Sequence, residues 1–452
     1  MDELTWLLIS WLVAGVGLFL LLRRRKTISV GLPVAYFMGL FIIHWPGAAI
    51  YLIPSHFYYK PEVVMAGFRL TTYGLWSFVL GVWLGGFKQA WGGLASKRLT
   101  QQLVDTSQIY QVAKAVFAAG LFIQLIVMPI LGGVATLTAV LSGMAGLSVV
   151  GVCLGIRGAL IQRNKKRLRI WILIALLFPF ITLTSSAFVG YGVHSLIVVV
   201  AFILMQTRTG VVRALTILLA VYLGISFFVT YMRDRNEIRE SIWHEQADYS
   251  VRLKQVSKLL TDFEFFDTGN PDHLISIDRR LNQNWLVGAA IQYTGGGTKE
   301  FAYGETMWFA LIALVPRAVW PDKPAVGGGG DIVTDYTGIM FSEDTSVGAG
   351  QVLEFFVNFG TWGVVFGFIV LGAAMRQFDA RAASAMARQD YRKFLMWFLP
   401  GLGFLQAGGN LVEVTTSVGA GIAGALIVGK VLERRLRRKK SRGASTLQRP
   451  QF

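Results

Sequence analysis

Cysteine is nearly absent: Cys153 is the one thiol in 452 residues. It cannot form an intramolecular disulfide, and no Cys/His cluster has metal-ligand spacing. Charge is scarce too. Asp, Glu, Lys and Arg make up 15% of the chain, against roughly 25% in an average soluble protein. Hydrophobic residues are 54% and the mean hydropathy is +0.53. A soluble domain of this length cannot bury that much apolar surface. The same figures exclude a disulfide scaffold, a disordered chain and a fibrous protein. Acid is scarcer than base, with 26 Asp+Glu against 43 Lys+Arg and a net charge of +17. The basic residues fall mainly between apolar runs. That is the positive-inside pattern of a membrane protein, not the basic face of a nucleic-acid binder. No internal repeat is evident, which speaks against an inverted-repeat transporter.

What is present is a series of long apolar runs. A helix needs about 20 apolar residues to cross a bilayer, and about eleven runs approach that length. They are 5–22, 31–53, 66–86, 112–130, 144–161, 170–187, 189–205, 214–231, 352–374, 394–410 and 412–430. The expected fold is an all-α polytopic membrane protein. It has eight spans in 1–231, a large external segment over 232–351, three spans in 352–430 and a basic tail over 431–452. Asp2 and Glu3 precede the first run and Arg23-Arg24-Arg25-Lys26 follow it. A secretory signal has the reverse charge order, so this run is expected to be a retained anchor with its N-terminus outside. Segments 23–26, 86–111, 162–169, 206–213, 375–393 and 430–452 hold most of the Lys and Arg. They all fall on the cytoplasmic side under that orientation.

The alternation leaves 305–319 outside the count of spans. At about 1.5 Å per residue it is roughly 22 Å long, and Pro316-Arg317 interrupt its end. It reads as a helix dipping into or lying on the outer interface. Residues 233–262 read as one charged amphipathic helix. Residues 274–292 read as a second, with Ile277, Leu281, Trp285 and Leu286 on one side. Gly295-Gly296-Gly297 and Gly327 to Gly330 read as turns.

The external segment concentrates charge beside the membrane. Arg233, Arg235 and Arg239 follow the eighth run, Arg279-Arg280 sit on the second amphipathic stretch, and Arg317 and Lys323 flank Trp320-Pro321-Asp322. Guanidinium binds phosphate oxygens bidentately and stays charged, so several arginines at an outer leaflet suit an anionic head group. Plainer readings stand beside this one. Arg233–Arg239 fit a solvated helix end with flanking carboxylates, and Arg279-Arg280 fit an interfacial pair snorkelling from an apolar face. Glu354 stands at the outer edge of the ninth run, four residues before Asn358 on the same helix face. It is a candidate general base and equally a structural partner for Arg317. Arg69 lies just inside the third run and is a further candidate. His44 reads as a hydrogen-bonded packing residue.

The stretch from Arg280 through Gly360 resembles the Wzy-type polysaccharide polymerases. The matching pieces are Arg279-Arg280, Tyr303-Gly304-Glu305-Thr306, Pro316-Arg317 with Trp320-Pro321-Asp322-Lys323-Pro324, and Glu354 through Asn358-Phe359-Gly360. The resemblance implies a metal-independent membrane glycosyltransferase, without cofactor and with a GT-C-like fold, in the bacterial inner membrane. It implies periplasmic chemistry on undecaprenyl-pyrophosphate-linked glycans, and work beside membrane lipids, a chain-length regulator and other polysaccharide-assembly proteins. Related O-antigen ligases place a histidine near the end of the large loop, where this chain has Glu354. Many members carry an arginine in an earlier span where this chain reads Gly190-Tyr191-Gly192-Val193-His194.

The residues fit that chemistry. A pyrophosphate leaving group needs its developing charge neutralised, which Arg317, Arg279 or Arg280, Arg235 and Lys323 are expected to do. The acceptor hydroxyl needs a base, expected to be Glu354. Arg233, Asn358 and Arg69 complete the expected substrate-binding set. The alternatives are a ligase transferring glycan to lipid A, a transporter of the same lipid-linked glycan, and a non-catalytic membrane subunit.

Overall fold

The structure, a computed structural model, describes residues 2–24, 28–53, 57–91, 106–131, 135–186, 189–207, 210–243, 249–315, 319–324, 328–341 and 347–447. Every regular element among them is helical. The first group is α1 (Asp2–Leu22), α2 (Leu32–Ala49) with a 3-10 turn to Leu52, and α3 (Pro61–Trp91). Then come α4 (Thr106–Phe122), α5 (Met128–Leu131) across a π turn, α6 (Ala135–Ala145) and α7 (Leu147–Ile161). Next are α8 (Lys165–Leu176), α9 (Phe178–Ser186), α10 (Val189–Gln206) and α11 (Val211–Trp243). Short helices follow: α12 (Tyr249–Thr261), α13 (Pro271–Arg280), α14 (Asn284–Tyr293), α15 (Glu305–Ala313) and α16 (Gly329–Thr337). The chain closes with α17 (Gly350–Ala387), α18 (Tyr391–Gly403) and α19 (Leu411–Leu447).

Nine of these stretches, among the described residues, are long and apolar enough to cross a membrane. The protein is a polytopic all-helical membrane protein. Two of the expected spans are not among the nine. Residues 214–231 form part of α11, which runs on without a break to Trp243. Residues 394–410 are helical only to Gly403. Pro400 removes a donor there, and Gly401, Gly403, Gly408 and Gly409 disfavour helix.

A further departure lies in α17. At Phe359 the backbone leaves helical geometry, and Gly360 takes φ 61° and ψ −151°. The chain doubles back there. A Cβ on Gly367 would stand 2.6 Å from the Phe355 ring, and one on Gly363 would collide with the Phe355 carbonyl. The expected span 352–374 is therefore two antiparallel pieces. A short arm, 350–358, is buried throughout, and a long helix from 361 to 387 carries the apolar crossing.

The irregular stretch 404–410 packs on this arm. Non-helical backbone at such depth must have its polar groups paired. Gln351 Nε2 donates to the carbonyls of Gln406 and Gly409, both at 2.6 Å, and Gly350 N donates to Gly408 O at 3.1 Å. Tyr36 closes the set by donating to Gln351 Oε1 at 2.8 Å.

The segment 232–351 is more divided than expected. The second amphipathic stretch is two helices, α13 and α14, broken at Leu281–Gln283. α14 belongs to the bundle, because Gly288 and Gly67 bring it into backbone contact with α3. Gly295, Gly296 and Gly297 do lie in turns, but Gly329 and Gly330 open α16, and Gly327 lies outside the described residues. α15 is short and packs on α19, where Thr415 donates to Ala310 O at 2.8 Å. The basic stretch 375–393 is largely the end of α17. Arg376, expected in a loop, is buried with Asp379 at 2.6 Å. Asp379 Oδ1 accepts from the N–H groups of Val30, Gly31 and Leu32 at 2.9–3.1 Å, so it caps α2.

Candidate functional site

Two neighbouring centres hold the polar side chains of the segment between α11 and α17. The first is built on α11 and α13. Asn270 caps α13 by accepting from Asp272 N at 3.0 Å, and Pro271 occupies its first position. The helix ends on Arg279 and Arg280, the sign that suits a C-terminus. A strap over 262–267 ties α13 to α11. Thr230 and Ser226 of α11 accept from Glu264 N and Phe266 N at 3.0 Å, and Asp267 N donates to His273 Nδ1 at 3.1 Å. Arg233 is spent on this strap, pairing with Glu264, with Asp234 at 2.8 Å and with the Asp262 carbonyl.

The tie brings Arg235 and Arg239 of α11 against Arg280 and its neighbour Arg279. Burial pushes the Arg235 guanidinium down to about 10, helped by the charges of Arg280 and Arg239. Arg280 is lowered by burial and by Arg279 and Arg239. Among the described residues no carboxylate pairs with Arg235 or Arg280. Four positive charges so gathered raise the local positive potential, which favours an anionic group over a neutral one.

Beside the arginines opens a cleft of about 460 Å³, lined among others by Tyr58, Tyr59, Trp285, Gln292, Tyr293 and Thr298. Arg279 lies over the Tyr58 ring at 4.9 Å, and Tyr59 stacks on Trp285 at 4.1 Å. Asp278, one residue before the arginines, anchors both features. It accepts from Tyr58 N at 3.0 Å, Tyr51 OH at 3.1 Å and Asn282 Nδ2 at 2.7 Å. The chain of bonds continues from Asn282 to Asn284 and on to His44 Nδ1 at 2.8 Å. Burial raises Asp278 above the usual carboxylate range, and these donors hold it back. Asp278, Asn282 and Asn284 were not singled out from sequence. The signal available was polar residues interrupting the apolar face that Ile277 and Leu286 define.

The second centre is the arm of α17. Glu354 is 0% exposed. Its Oε2 accepts from Leu411 N at 2.5 Å, the first amide of α19, and Oε1 has no hydrogen-bond partner of ordinary geometry. Asn358 accepts from Gly304 N at 2.9 Å and donates to Thr306 Oγ1 at 2.7 Å, so it pins the start of α15.

The other expected site residues lie elsewhere. Arg69 pairs with Glu3 at 2.6 Å, joining α3 to α1 with both side chains about half exposed. Lys323 donates to the carbonyls of Ala313 and Val315 at 3.3 and 2.9 Å, closing the end of α15. Arg317 lies outside the described residues. The expected pairing of Glu354 with it is likewise outside them. Among the described residues no three His, Cys, Asp or Glu side chains gather as a metal-ligand group.

The chain belongs to the family described as "Domain of unknown function (DUF8712)", whose profile matches residues 90–387. The match takes in Arg235, Arg280 and Glu354, and leaves out Tyr58, Tyr59 and Leu411. No curated protein and no solved structure matches the chain.

Proposed function

We propose that this protein is a membrane glycosyltransferase that polymerises undecaprenyl-pyrophosphate-linked repeat units into a surface polysaccharide. In this reading it resides in the bacterial inner membrane, has a GT-C-like fold and works at the periplasmic face. The observation that carries the proposal is the grouping of Arg235, Arg239, Arg279 and Arg280, in which Arg235 and Arg280 have no acidic partner among the described residues. The resemblance to Wzy-type polymerases over Arg280 through Gly360, which shares Arg279-Arg280 with that grouping, supports the same reading.

The reaction is a single displacement. The anomeric carbon–oxygen bond to the donor pyrophosphate breaks, and the electron pair stays on the phosphate oxygen. Charge develops there, and the arginines neutralise it. The acceptor hydroxyl forms the new bond and gives its proton to a base. Glu354 is the proposed base. Its carboxyl is closed off in this conformation, so the arm must move for an acceptor to reach it. A carboxylate in place of the ligases' histidine favours a polymerase over a ligase.

One observation favours a second reading. Broken helices meeting at depth, as the arm and 404–410 do, are a device of secondary transporters. The test is purified protein in liposomes with a lipid-pyrophosphate-linked oligosaccharide. A ladder of longer glycans supports the transferase. Translocation of the lipid-linked sugar with no ladder overturns it and supports the transporter.

A further inference from the structure

The cleft beside the arginines is not lined for an anion. Among the described residues its walls are three tyrosines and a tryptophan beside Val63, Ala289 and Ile339, with Gln292, Thr298 and Thr337 adding neutral polar groups and Lys60 a single charge. Among the described residues no carboxylate lines it. Tyr59 and Trp285 lie nearly parallel, 10° apart, and form one double-thickness plate. Tyr58 stands edge-on to Tyr59 at 86°, giving the plate a side wall. Tyr58 is 54% exposed and Gln292 is exposed. These are groups held out to solvent in a fixed frame.

The frame is fixed from behind. Trp285 is the second residue of α14, whose backbone is locked on α3 through Gly67 and Gly288. The backbone N–H of Tyr58 is held by Asp278 at 3.0 Å. Tyr51 stacks on Phe57 at 4.2 Å and donates to the same carboxylate. The plate is thus placed in advance, as a recognition surface needs.

A pyranose ring is the ligand this surface suits. One face of such a ring is a patch of C–H bonds and its rim is hydroxyls. The C–H face meets an aromatic plate, and hydroxyls meet amide and hydroxyl side chains, the usual mixture of a small-molecule site. We infer that the cleft between Tyr58, Tyr59 and Trp285 is a sugar subsite that takes a pyranose ring of the substrate glycan by stacking, one step away from the arginine group. Tyr59 is the hinge of the arrangement. It lines the cleft and also lies in the field of Arg279 and Arg280. Its place next to the pyrophosphate site rests on the function proposed above, but the stacking itself does not. A cleft that binds free sugar stands whether or not the protein proves to be a transferase.

The experiment is saturation-transfer-difference NMR on the full-length protein in detergent. The probes are maltotriose, N,N′-diacetylchitobiose and glucuronic acid, each without lipid or phosphate. Transfer to ring C–H protons of at least one probe is expected. It should fall at least fivefold in Tyr59→Ala and Trp285→Ala, persist in Tyr59→Phe and Trp285→Phe, which keep the plates, and persist in Arg280→Gln. Absence of transfer from all three probes overturns the subsite. So does transfer that survives both alanine variants. Sugar binding retained in a protein that gives no ladder in the transfer assay would sink the polymerase while leaving the subsite intact.

Discussion

The ring of Phe355 stands edge-on to the ring of Phe368, with centroids 5.6 Å apart. A continuous helix would separate these residues by about 20 Å. Their contact fixes the reversal of α17 at Phe359–Gly360, and with it the depth of Glu354. Gly360 adopts φ 61° and ψ −151°, a region that only glycine enters without strain. Gly360→Ala should cost about 1–3 kcal/mol, read as a lower melting temperature in detergent. Wild-type stability in this variant would argue for an unbroken α17.

Glu354 has two separable roles. Its Oε2 satisfies Leu411 N–H, so Glu354→Ala leaves a buried donor unpaired, at a cost of about 1–3 kcal/mol. Glu354→Gln keeps an acceptor for that N–H and should melt near the wild-type temperature. It removes the proposed base, so on the proposed function turnover should fall about 100-fold or more. A folded Glu354→Gln enzyme with normal turnover leaves the residue as a clamp only.

The arginine group makes the stability depend on pH and on anions. Burial pushes the Arg235 guanidinium down to about 10, well below its ordinary value. A base whose pKa falls on folding binds protons more weakly in the folded state. Its penalty is therefore full below about pH 10 and is relieved as pH rises above that toward the ordinary guanidinium range. A bound polyanion offsets the same penalty. Inorganic pyrophosphate should raise the melting temperature at pH 7 and do so less at pH 11. Arg235→Gln should abolish most of the pH 7 gain. An equal gain in that variant would place the anion elsewhere.

Asp379 both pairs with Arg376 and caps α2. Asp379→Ala leaves a guanidinium buried without its carboxylate, which costs about 3–5 kcal/mol. Loss of folded protein, or a large drop in melting temperature, is expected. The double variant Asp379→Ala/Arg376→Met should recover part of the loss.

Hydropathy made much of this fold legible. α1, α2, α3, α7 and α10 lie close to the apolar runs, because length and composition decide a crossing helix. Direction within a run leaves no such trace. Phe359-Gly360 sits inside a run that is apolar on both sides apart from Glu354, Asn358 and Thr361, so the reversal looks like one more span. The end of α18 at Gly403 was masked in the same way by Phe404 and Leu405. At the site, Arg279-Arg280 are legible in sequence as a basic pair closing an amphipathic stretch. Their company is not, since Arg235 comes near them only once α13 packs on α11, through Leu274 and Ile277 against Ile225 and Phe228 and through the strap that Arg233 pairs with. Arg233 itself reads like its neighbours in sequence, yet Asp234 and Glu264 neutralise it. Asp278 was hidden beside two arginines, where it looks like their counter-ion. Its partners are Tyr51, Tyr58 and Asn282, far from it or on its other side.

The most direct measurement of the central claim is binding of undecaprenyl pyrophosphate, carrying no sugar, to the purified protein, with undecaprenol as the reference. Tight binding of the pyrophosphate and none of the alcohol is predicted. The affinity should fall with added salt and drop at least tenfold in Arg235→Gln/Arg280→Gln, while that variant stays folded. Equal binding of the two lipids, or an affinity that the double variant leaves unchanged, contradicts the account.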